Sequence, residues 1–413
     1  MTEVPPEPPV PPAPTVTLAD IVAAREVLDG VAIATPMEES RWLSALAGGP
    51  VRLKCENLQR TGSFKARGAY VRISRLSAEE RAHGVVAASA GNHAQGVALA
   101  AQLLGIKATV FMPEGAPIPK ERATRAYGAD VVFHGRYLED AMVAARAFAA
   151  ETGAVFIHPF DHADVVAGQG TAGLEILEQA PEARTVLVPT GGGGLLAGIA
   201  IAVKALRPDV RVVGVQAAGA AAYPGSLTSG RPVALESMLT MADGIAVGLP
   251  GEITFAAVRD HVDEIVTVSE DALSRALLAL VERAKMVVEP AGAAAVAAML
   301  DDPGRFATPA VAVLSGGNID PLLLGKVIRH GMAAAGRYLN LHVTVPDVPG
   351  GLARLLGDVS AEGANVLEVV HERISPSLRL DEVEVHLQLE TRGAPHAERV
   401  LARLRERGYR ILE

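Results

Sequence analysis

One lysine of this sequence lies where its amine could act as a nucleophile. Residues 61–68 read Thr-Gly-Ser-Phe-Lys-Ala-Arg-Gly, and Ser63 resembles a helix N-cap, which places Lys65 in the first turn of a helix. Because a cation is disfavoured beside the positive end of a helix dipole, we expect a lowered pKa for the Lys65 amine. A lowered pKa suits Schiff-base chemistry. A solvated surface lysine is the simpler interpretation of this residue taken alone.

A run of four glycines could bind a phosphate group. Residues 191–194 are all glycine, directly after the apolar segment 185–189 and before a helical segment that starts at Leu195. Glycines let the backbone approach a ligand, and their N–H groups would point out of the helix N-terminus. A Walker loop is excluded because no Lys-Ser/Thr follows, and a dinucleotide site is disfavoured because Gln216 stands where an acidic residue is expected. A tight turn without a ligand is the alternative.

Two further polar turns follow predicted strands. Residues 89–93 read Ser-Ala-Gly-Asn-His and residues 315–318 read Ser-Gly-Gly-Asn. Small and polar residues at a helix start can hold an anion such as a carboxylate. Helix capping would equally explain Ser89 or Asn92, and His93 alone is more often structural than catalytic. The histidines are scattered and show no metal-ligand spacing, so we expect no metal site.

The elements that must position these turns alternate between strands and helices. Apolar strand-like runs are predicted at 51–53, 84–88, 108–112, 130–133, 185–189, 211–215, 264–268 and 310–314. Helical periodicity is predicted at 18–28, 93–104, 136–152, 195–206 and 270–285. This alternation predicts an α/β fold with parallel sheets covered on both faces. Ligands bind such sheets at the carboxyl ends of strands, which is where the polar turns lie.

Composition excludes several classes of protein. The chain has 413 residues, 49% of them hydrophobic and 21% charged, and a net charge of -9. It is therefore too apolar to be disordered and too acidic for a nucleic-acid surface. The single cysteine, Cys55, precludes an intramolecular disulfide and favours a cytoplasmic location. We expect residues 1–16, rich in proline, to form a disordered tail, and we expect no signal peptide and no membrane span.

The four motifs together resemble those of the pyridoxal-phosphate enzymes of the tryptophan-synthase-β type, fold type II. The matching segments are 63–68, 89–96, 191–194 and 315–318, and segments 243–247 and 289–292 narrow the resemblance to the threonine dehydratases, also called threonine ammonia-lyases. The resemblance implies a catalytic domain over 17–332. Its large lobe would comprise 17–60 and 165–332, and its small lobe 61–164.

The resemblance also implies a role for each residue of the motifs. Lys65 would hold pyridoxal 5'-phosphate as a Schiff base and later remove the Cα proton, Asn92 would bond the ring 3-hydroxyl, and Ser315 would face the pyridine nitrogen. Backbone N–H groups would bind the phosphate at Gly191, Gly192, Gly193, Gly194 and Leu195. The cofactor site would also include Gly244 and Glu289. The pocket for the substrate carboxylate would be lined by Ser89, Ala90, Gly91 and His93.

The implied reaction is β-elimination. L-Threonine would give 2-oxobutanoate and ammonia, and L-serine would give pyruvate, with the cofactor as electron sink. A neutral hydroxyl at Ser315 would not keep the pyridine nitrogen protonated, which favours prompt elimination over transamination. The threonine-to-serine preference is left open because one methyl group changes binding by only about 1–3 kcal/mol. Whether the role is biosynthetic or catabolic is also open.

Two departures distinguish the chain from serine racemase, a member of the same branch. Ala90 stands where racemases carry a serine that serves the opposite face of Cα. Gln216 and residues 217–222 stand where they carry a carboxylate cation site. We therefore expect neither strong racemase activity nor that metal site, although a cation elsewhere is not excluded. Serine racemase and a β-replacing synthase are the alternative enzymes, and a non-catalytic amino-acid sensor is the alternative of another class, disfavoured by the intact Lys65.

The C-terminal segment 339–413 has a different pattern. Strands predicted at 341–345, 366–373, 382–389 and 409–412, with helices from 349 to about 362 and at 395–407, give a βαββαβ order. Residues 347–352 and 363–366 resemble an ACT regulatory domain, which implies an amino-acid effector, isoleucine or valine first, near Gly350 and Asn365. A role in assembly alone is the alternative. Because 75 residues bury little surface, we expect the domain to pair in a homo-oligomer, a dimer or tetramer.

Overall fold

The computed structural model describes residues 15–373, 379 and 381–412. Most of the predicted N-terminal tail therefore lies outside the described residues, but Val16 is buried in the core. The chain divides into two compact units, one of residues 1–276 and 280–320 and the other of residues 277–279 and 321–413. Residues 321–332, predicted as part of the catalytic domain, thus group with the C-terminal unit. Among the described residues, no helix is both long and apolar enough to span a membrane.

The strands up to residue 320 form two sheets. In chain order they are β1 (Met37–Glu39), β2 (Val51–Lys54), β3 (Val85–Ala88), β4 (Ala108–Met112), β5 (Asp130–Phe133), β6 (Val155–Phe156), β7 (Thr185–Pro189), β8 (Arg211–Ala217), β9 (Glu264–Val268) and β10 (Ala310–Val313). The larger sheet has the order β1-β2-β10-β7-β8-β9, and the smaller sheet has the order β5-β4-β3-β6. Every pairing is parallel except β1 with β2. The predicted parallel α/β fold is confirmed.

Helices follow most strands. In chain order they are α1 (Leu18–Val27), α2 (Arg41–Ala47), α3 (Lys65–Ser74), α4 (Ala78–His83), α5 (Asn92–Leu104), α6 (Ile118–Ala126), α7 (Leu138–Thr152), α8 (Ala163–Gln179), α9 (Gly194–Leu206), α10 (Ala222–Ser229), α11 (Glu252–His261), α12 (Glu270–Ala279) and α13 (Ala294–Asp301). A π-helical turn, Leu280–Ala284, follows α12. Strand β7 is buried along its whole length, as expected for a central parallel strand.

Glycines bring three helices of this unit unusually close together. A Cβ at Gly96 of α5 would lie 3.1 Å from the Lys65 carbonyl carbon, and a Cβ at Gly168 of α8 would lie 2.7 Å from Cα of Gly68. Helix α3 is therefore clamped between α5 and α8 through backbone contacts that no larger residue would permit. This packing fixes the position of the Lys65 backbone.

The C-terminal unit contains an antiparallel sheet. Its elements are α14 (Pro321–Ala334), β11 (Tyr338–Pro346), α15 (Gly351–Ala361), β12 (Asn365–Glu372), β13 (Glu382–Glu390), α16 (Ala394–Glu406) and β14 (Arg410–Leu412). The sheet order is β12-β13-β11-β14, and each pairing is antiparallel. The strand and helix order from β11 to β14 is the predicted βαββαβ order. Residues such as Val343, Val385 and Val400 form a separate core between the sheet and its helices.

Candidate active site

A cavity of about 900 Å³ lies within the first unit, and the sequence-predicted turns meet in its wall. Each turn follows the carboxyl end of a parallel strand: residues 89–93 follow β3, residues 190–194 follow β7, and Ser315 follows β10. Lys65 lies in the segment that continues from β2, the parallel neighbour of β10. The rule that ligands bind at the carboxyl ends of parallel strands is thus obeyed by both sheets.

Lys65 occupies the first turn of α3, as predicted, but its helix cap differs from the prediction. Phe64, not Ser63, is the N-cap residue, and no side chain caps the helix. Ser63 instead forms an isolated antiparallel bridge with Gly316, and Phe64 N–H donates to the Ser315 carbonyl at 3.2 Å. The prediction of Ser63 as N-cap is therefore wrong, because its backbone pairs with Gly316 in the turn after β10. The same pairing ties Lys65 to Ser315.

The Lys65 amine has few partners. Its Nζ donates to the Pro159 carbonyl at 2.8 Å, and no carboxylate among the described residues lies within ion-pair distance of it. Burial lowers its pKa to about 8, although the charge of Glu289 acts in the opposite direction. A neutral amine is therefore accessible near physiological pH, which is the state that a Schiff-base nucleophile or a general base requires.

The tetraglycine loop presents unpaired backbone donors to the cavity. The N–H groups of Gly191, Gly192 and Gly193 have no acceptor within the described part of the chain, and Gly193, with φ +93°, is the N-cap of α9. The loop is fixed from behind, where the Gly192 carbonyl accepts bonds from Thr254 Oγ1 at 2.7 Å and from the Tyr223 hydroxyl at 3.3 Å. A helix N-terminus with free donors is an anion site.

Three of the four glycines in the loop are also required by packing. A Cβ at Gly192 would lie 2.5 Å from the Phe160 ring, one at Gly193 would lie 1.9 Å from the Tyr223 hydroxyl, and one at Gly191 would lie 2.9 Å from Cα of Ile245. The close packing explains why all of these positions are glycine, which the requirement for a ligand alone would not.

Asn92 and Glu289 form a hydrogen-bonded pair in the cavity wall. Asn92 Nδ2 donates to Glu289 Oε1 at 2.6 Å, and Asn318 Nδ2 donates to Asn92 Oδ1 at 2.8 Å. Oε2 of Glu289 is buried without a partner in the described structure. Burial, together with the charge of Asp243, raises the pKa of Glu289 to about 7. Gly244 lies beside this pair, because a Cβ there would be 3.4 Å from Glu289 Oε1.

The remaining predicted residues also line the cavity. Ser315 is buried, and its hydroxyl bonds to no described residue; Ser89, Ala90 and Gly91 lie on the opposite sheet. His93 Nε2 lies 2.8 Å from the Ile157 carbonyl, and burial lowers its pKa to about 3. His93 is therefore a neutral imidazole that donates to a backbone carbonyl, which fits a structural residue in the cavity wall better than a proton carrier.

Lys120 is a cavity residue that the sequence analysis missed. It is buried in α6, and its Nζ bonds to Asp243 Oδ2 at 2.6 Å, so that an ion pair joins the small-sheet side of the cavity to the large-sheet side. The sequence contained a signal for Lys120 as a site residue, because residues 113–120 follow the carboxyl end of β4 in the same way as the other turns follow their strands.

The unpaired groups fit one kind of ligand. The free N–H donors of the glycine loop can bind a phosphate group. The Ser315 hydroxyl and the Asn92–Glu289 pair can bind polar atoms of a ring. The Lys65 amine can attack a carbonyl carbon. Fold and site together define an enzyme that uses an aldehyde-bearing phosphorylated cofactor. Residues 29–316 match the family model described as pyridoxal-phosphate dependent enzyme. The chain belongs to this family.

Individual members of the family are similar to this chain over most of its length. The chain is 46% identical to the L-threonine ammonia-lyase of Thermotoga maritima over 396 residues, 96% of this chain and 99% of that protein. The solved structure of threonine deaminase isoform 2 from Solanum lycopersicum, in its processed form, is 39% identical and superposes with a TM-score of 0.73, covering 78% of this chain and 98% of that chain. Maize serine racemase is 36% identical with a TM-score of 0.73, covering 76% of this chain and 97% of that chain.

Proposed function

We propose that the protein is an L-threonine ammonia-lyase that converts L-threonine to 2-oxobutanoate and ammonia and acts also on L-serine. The observation that carries the proposal is the meeting of Lys65, the tetraglycine loop and Ser315 in one cavity. It is supported by the name of the Thermotoga maritima relative, which matches nearly the whole chain.

The cofactor would be held by groups in the cavity wall that have donors or bonding positions left over. Lys65 Nζ would bind it covalently, and the N–H groups of the loop at 191–194, with Leu195 behind them, would hold its phosphate. Ser315 would hydrogen-bond the ring nitrogen, and Asn92 has one amide N–H left for the ring hydroxyl. When bound, pyridoxal phosphate supplies an electron sink that stabilises a carbanion at Cα.

Proton transfer would be the task of Lys65. The neutral amine of Lys65 would accept the Cα proton of the substrate at Nζ, and the pKa of about 8 makes that form accessible. Ser89, Ala90 and Gly91 would receive the substrate carboxylate through polar groups at the start of α5, with His93 as a neutral wall residue. Glu289 lies close to Gly244, and both residues would belong to the cofactor site.

Ala90 supports elimination over racemisation. Racemisation needs a proton donor on each face of Cα, and the resemblance places Ala90, which carries no ionisable group, at the second position. Gln216 stands where the racemases carry their cation site, and its side chain has no carboxylate to bind a cation. Its Oε1 instead accepts a hydrogen bond from the Tyr223 N–H at 3.0 Å.

The test is a substrate panel with the purified holoenzyme. We expect 2-oxobutanoate from L-threonine and pyruvate from L-serine, and at most slow formation of D-serine, measured by 2-oxo-acid detection and chiral chromatography. Serine interconversion faster than 2-oxo-acid release would favour the racemase. A protein without the visible absorbance of a lysine-bound cofactor, unaffected by borohydride, would favour the sensor.

Regulation by the C-terminal unit is part of the proposal. Its βαββαβ order supports an ACT-like domain over 339–413 that binds an amino-acid effector near Gly350, which has φ +84° at the start of α15, and Asn365 at the start of β12. Isoleucine or valine should change the activity of the full-length enzyme, and Asn365→Ala or Gly350→Val should weaken the response without changing activity in the absence of effector. If these variants and the parent respond to the effector identically, the C-terminal unit would have only an assembly role in a homo-oligomer.

The single cysteine supports a cytoplasmic location.

A further inference from the structure

The open face of the C-terminal sheet brings together two histidines and a glutamate. In β11, Leu341, Val343 and Val345 face the core, so His342 projects from the opposite face. The register pairs His342 directly with His386 of β13, and Glu384 lies two residues before His386 on the same face. The sequence could not reveal this group because β11 and β13 are separated by a helix and another strand.

Both imidazoles lie close to one carboxylate oxygen, and the ring of His386 forms a hydrogen bond with it. His342 Nδ1 lies 3.2 Å from Glu384 Oε1, and His386 Nε2 lies 2.9 Å from the same atom. The two rings are stacked, with centroids 3.9 Å apart and planes 18° from parallel. These three atoms all lie within 4.8 Å of one another. In the described structure, Glu384 has no lysine or arginine partner, although its side chain is only 9% exposed.

This arrangement has the donor set and the spacing of a metal site. We propose that His342, Glu384 and His386 bind one divalent transition-metal ion of the zinc class on the open face of the C-terminal sheet. Bonds of about 2.0–2.2 Å from zinc to imidazole nitrogen or carboxylate oxygen place neighbouring ligand atoms roughly 3.3 Å apart in a tetrahedron, close to the two nitrogen–oxygen separations found here. Because an imidazole binds a metal in the plane of its ring, the two stacked rings must turn relative to each other when the ion binds. Two nitrogen donors favour Zn²⁺, Co²⁺, Ni²⁺ or Cu²⁺ over Ca²⁺ and Mg²⁺, which take oxygen ligands.

A fourth protein ligand is within reach. Glu372 of β12 pairs with Glu384 across the sheet, and its Oε2 lies 3.8 Å from His386 Nε2. Its side chain is half exposed, as is that of His342, so that an ion can enter from solvent. The ion would join β11 to β13 and, through Glu372, to β12. The site lies entirely within the C-terminal unit and is independent of the proposed activity.

The first experiment measures metal binding to the full-length holoenzyme. Zn²⁺ is titrated calorimetrically in a non-chelating buffer into the parent protein and into His342→Gln, Glu384→Gln and His386→Gln. Removing a ligand should weaken binding of the site at least about tenfold, by analogy with the effect of losing supporting residues around a metal. His371→Gln is the matched control, because His371 lies on β12 but pairs with Val385, a core-facing position, and lies outside the cluster. Its affinity should stay within about twofold of the parent, since no ligand is lost.

The second experiment detects the ligand atoms directly in the parent protein and uses one variant as a check. Cu²⁺ bound at one equivalent should show hyperfine coupling to two imidazole nitrogens by electron paramagnetic resonance, and Ca²⁺ in excess should not displace it. A stoichiometric site with two nitrogen ligands that is lost in His386→Gln supports the proposal. Zn²⁺ affinity that is equal in the parent and all three ligand variants, or a copper signal without nitrogen coupling, would overturn the proposal and leave a His386–Glu384 hydrogen bond beside a stacked His342 ring.

Discussion

Lys65 and Lys54 are two enclosed lysines of the same unit, and they differ in the anions around them. Lys54 Nζ bonds to Glu175 at 2.5 Å, to Gln179 at 2.9 Å and to the Thr35 carbonyl at 2.9 Å. Lys65 bonds to a single carbonyl, and its pKa falls to about 8 because it is buried. The carboxylate in direct contact with Lys54 holds that amine in an ion pair within the protein, whereas the Lys65 amine has no such partner and is available for chemistry.

Arg67 extends the charged group that includes Lys54. It lies two residues beyond Lys65 in α3 and donates to Glu56 at 2.8 Å and to Glu175 at 2.6 Å, so that α3, α8 and the loop after β2 are joined. The same helix thus carries a reactive cation on one side and a paired cation on the other. Activity should depend on the first and stability on the second.

Replacing Lys65 should produce the largest effect. Lys65→Ala removes the covalent attachment and the general base together, so turnover of L-threonine should fall by at least roughly 10³-fold while the fold persists. The measurement is steady-state 2-oxobutanoate formation with far-ultraviolet circular dichroism as the check on folding. Turnover within tenfold of the parent enzyme would remove Lys65 from the mechanism.

Replacing Arg67 should instead reduce stability. Arg67→Met leaves Glu56 buried without its guanidinium, which we expect to cost about 3–5 kcal/mol in urea-induced unfolding. Arg25→Met is the matched control, because the Arg25–Glu178 pair is exposed and should contribute no more than about 1 kcal/mol. Equal losses in the two variants would contradict the distinction between buried and exposed pairs.

The pH dependence of the Arg67 effect has a defined sign. Burial raises the pKa of Glu56, but the charge of Arg67 and its hydrogen bond outweigh burial, so the pKa in the folded protein lies below the ordinary 4.5. The resulting stabilisation is present above pH 4.5 and is lost as the pH falls through the folded-state value. The difference between parent and Arg67→Met should therefore shrink in acid.

The catalytic unit was predictable because its chemistry is local in sequence. Each motif, such as Ser89–His93 or the glycine loop, is a contiguous turn after a parallel strand, and the fold then brings the turns together at one edge. Strands such as Asp130–Phe133 and Glu264–Val268 have the predicted bounds. Contiguity was sufficient here because the central strands, such as Thr185–Pro189, are buried along their whole length and form short apolar runs in the sequence.

Interactions between distant segments could not be predicted. The Arg67–Glu175 pair and the His342–His386 stack join residues on separate elements, and no spacing rule relates them. The predicted N-cap of α3 was wrong for the same reason, because Ser63 forms a backbone bridge with Gly316, which is distant in the sequence. A capping rule uses only the neighbours in the chain and cannot foresee such a partner.

A smaller effect is expected at Ser315, which tests the ring-nitrogen end of the cavity. Ser315→Ala removes one hydrogen bond worth about 0.5–1.5 kcal/mol, so cofactor affinity should weaken by roughly 2- to 12-fold without loss of the fold. Ser315→Asp should keep the ring nitrogen protonated and increase racemisation or transamination. Cofactor titration by absorbance and product analysis are the measurements. If both variants retain the parent affinity, rate and products, Ser315 does not face the ring.

The smallest effect concerns Glu289, the carboxylate whose charge acts on Lys65. Glu289 raises the pKa of the Lys65 amine against the lowering by burial. Glu289→Gln should therefore shift the titration of this amine in the cofactor-free protein from about 8 to a lower pH, by less than the shift that burial causes. The measurement is the pH dependence of Lys65 acetylation, followed by mass spectrometry. Glu139→Gln is the control, because Glu139 lines the same cavity but does not contribute to the Lys65 shift. An upward shift, or equal shifts in the two variants, would show that the Lys65 site does not respond to Glu289 and would weaken the contrast with Lys54, whose carboxylate is in direct contact.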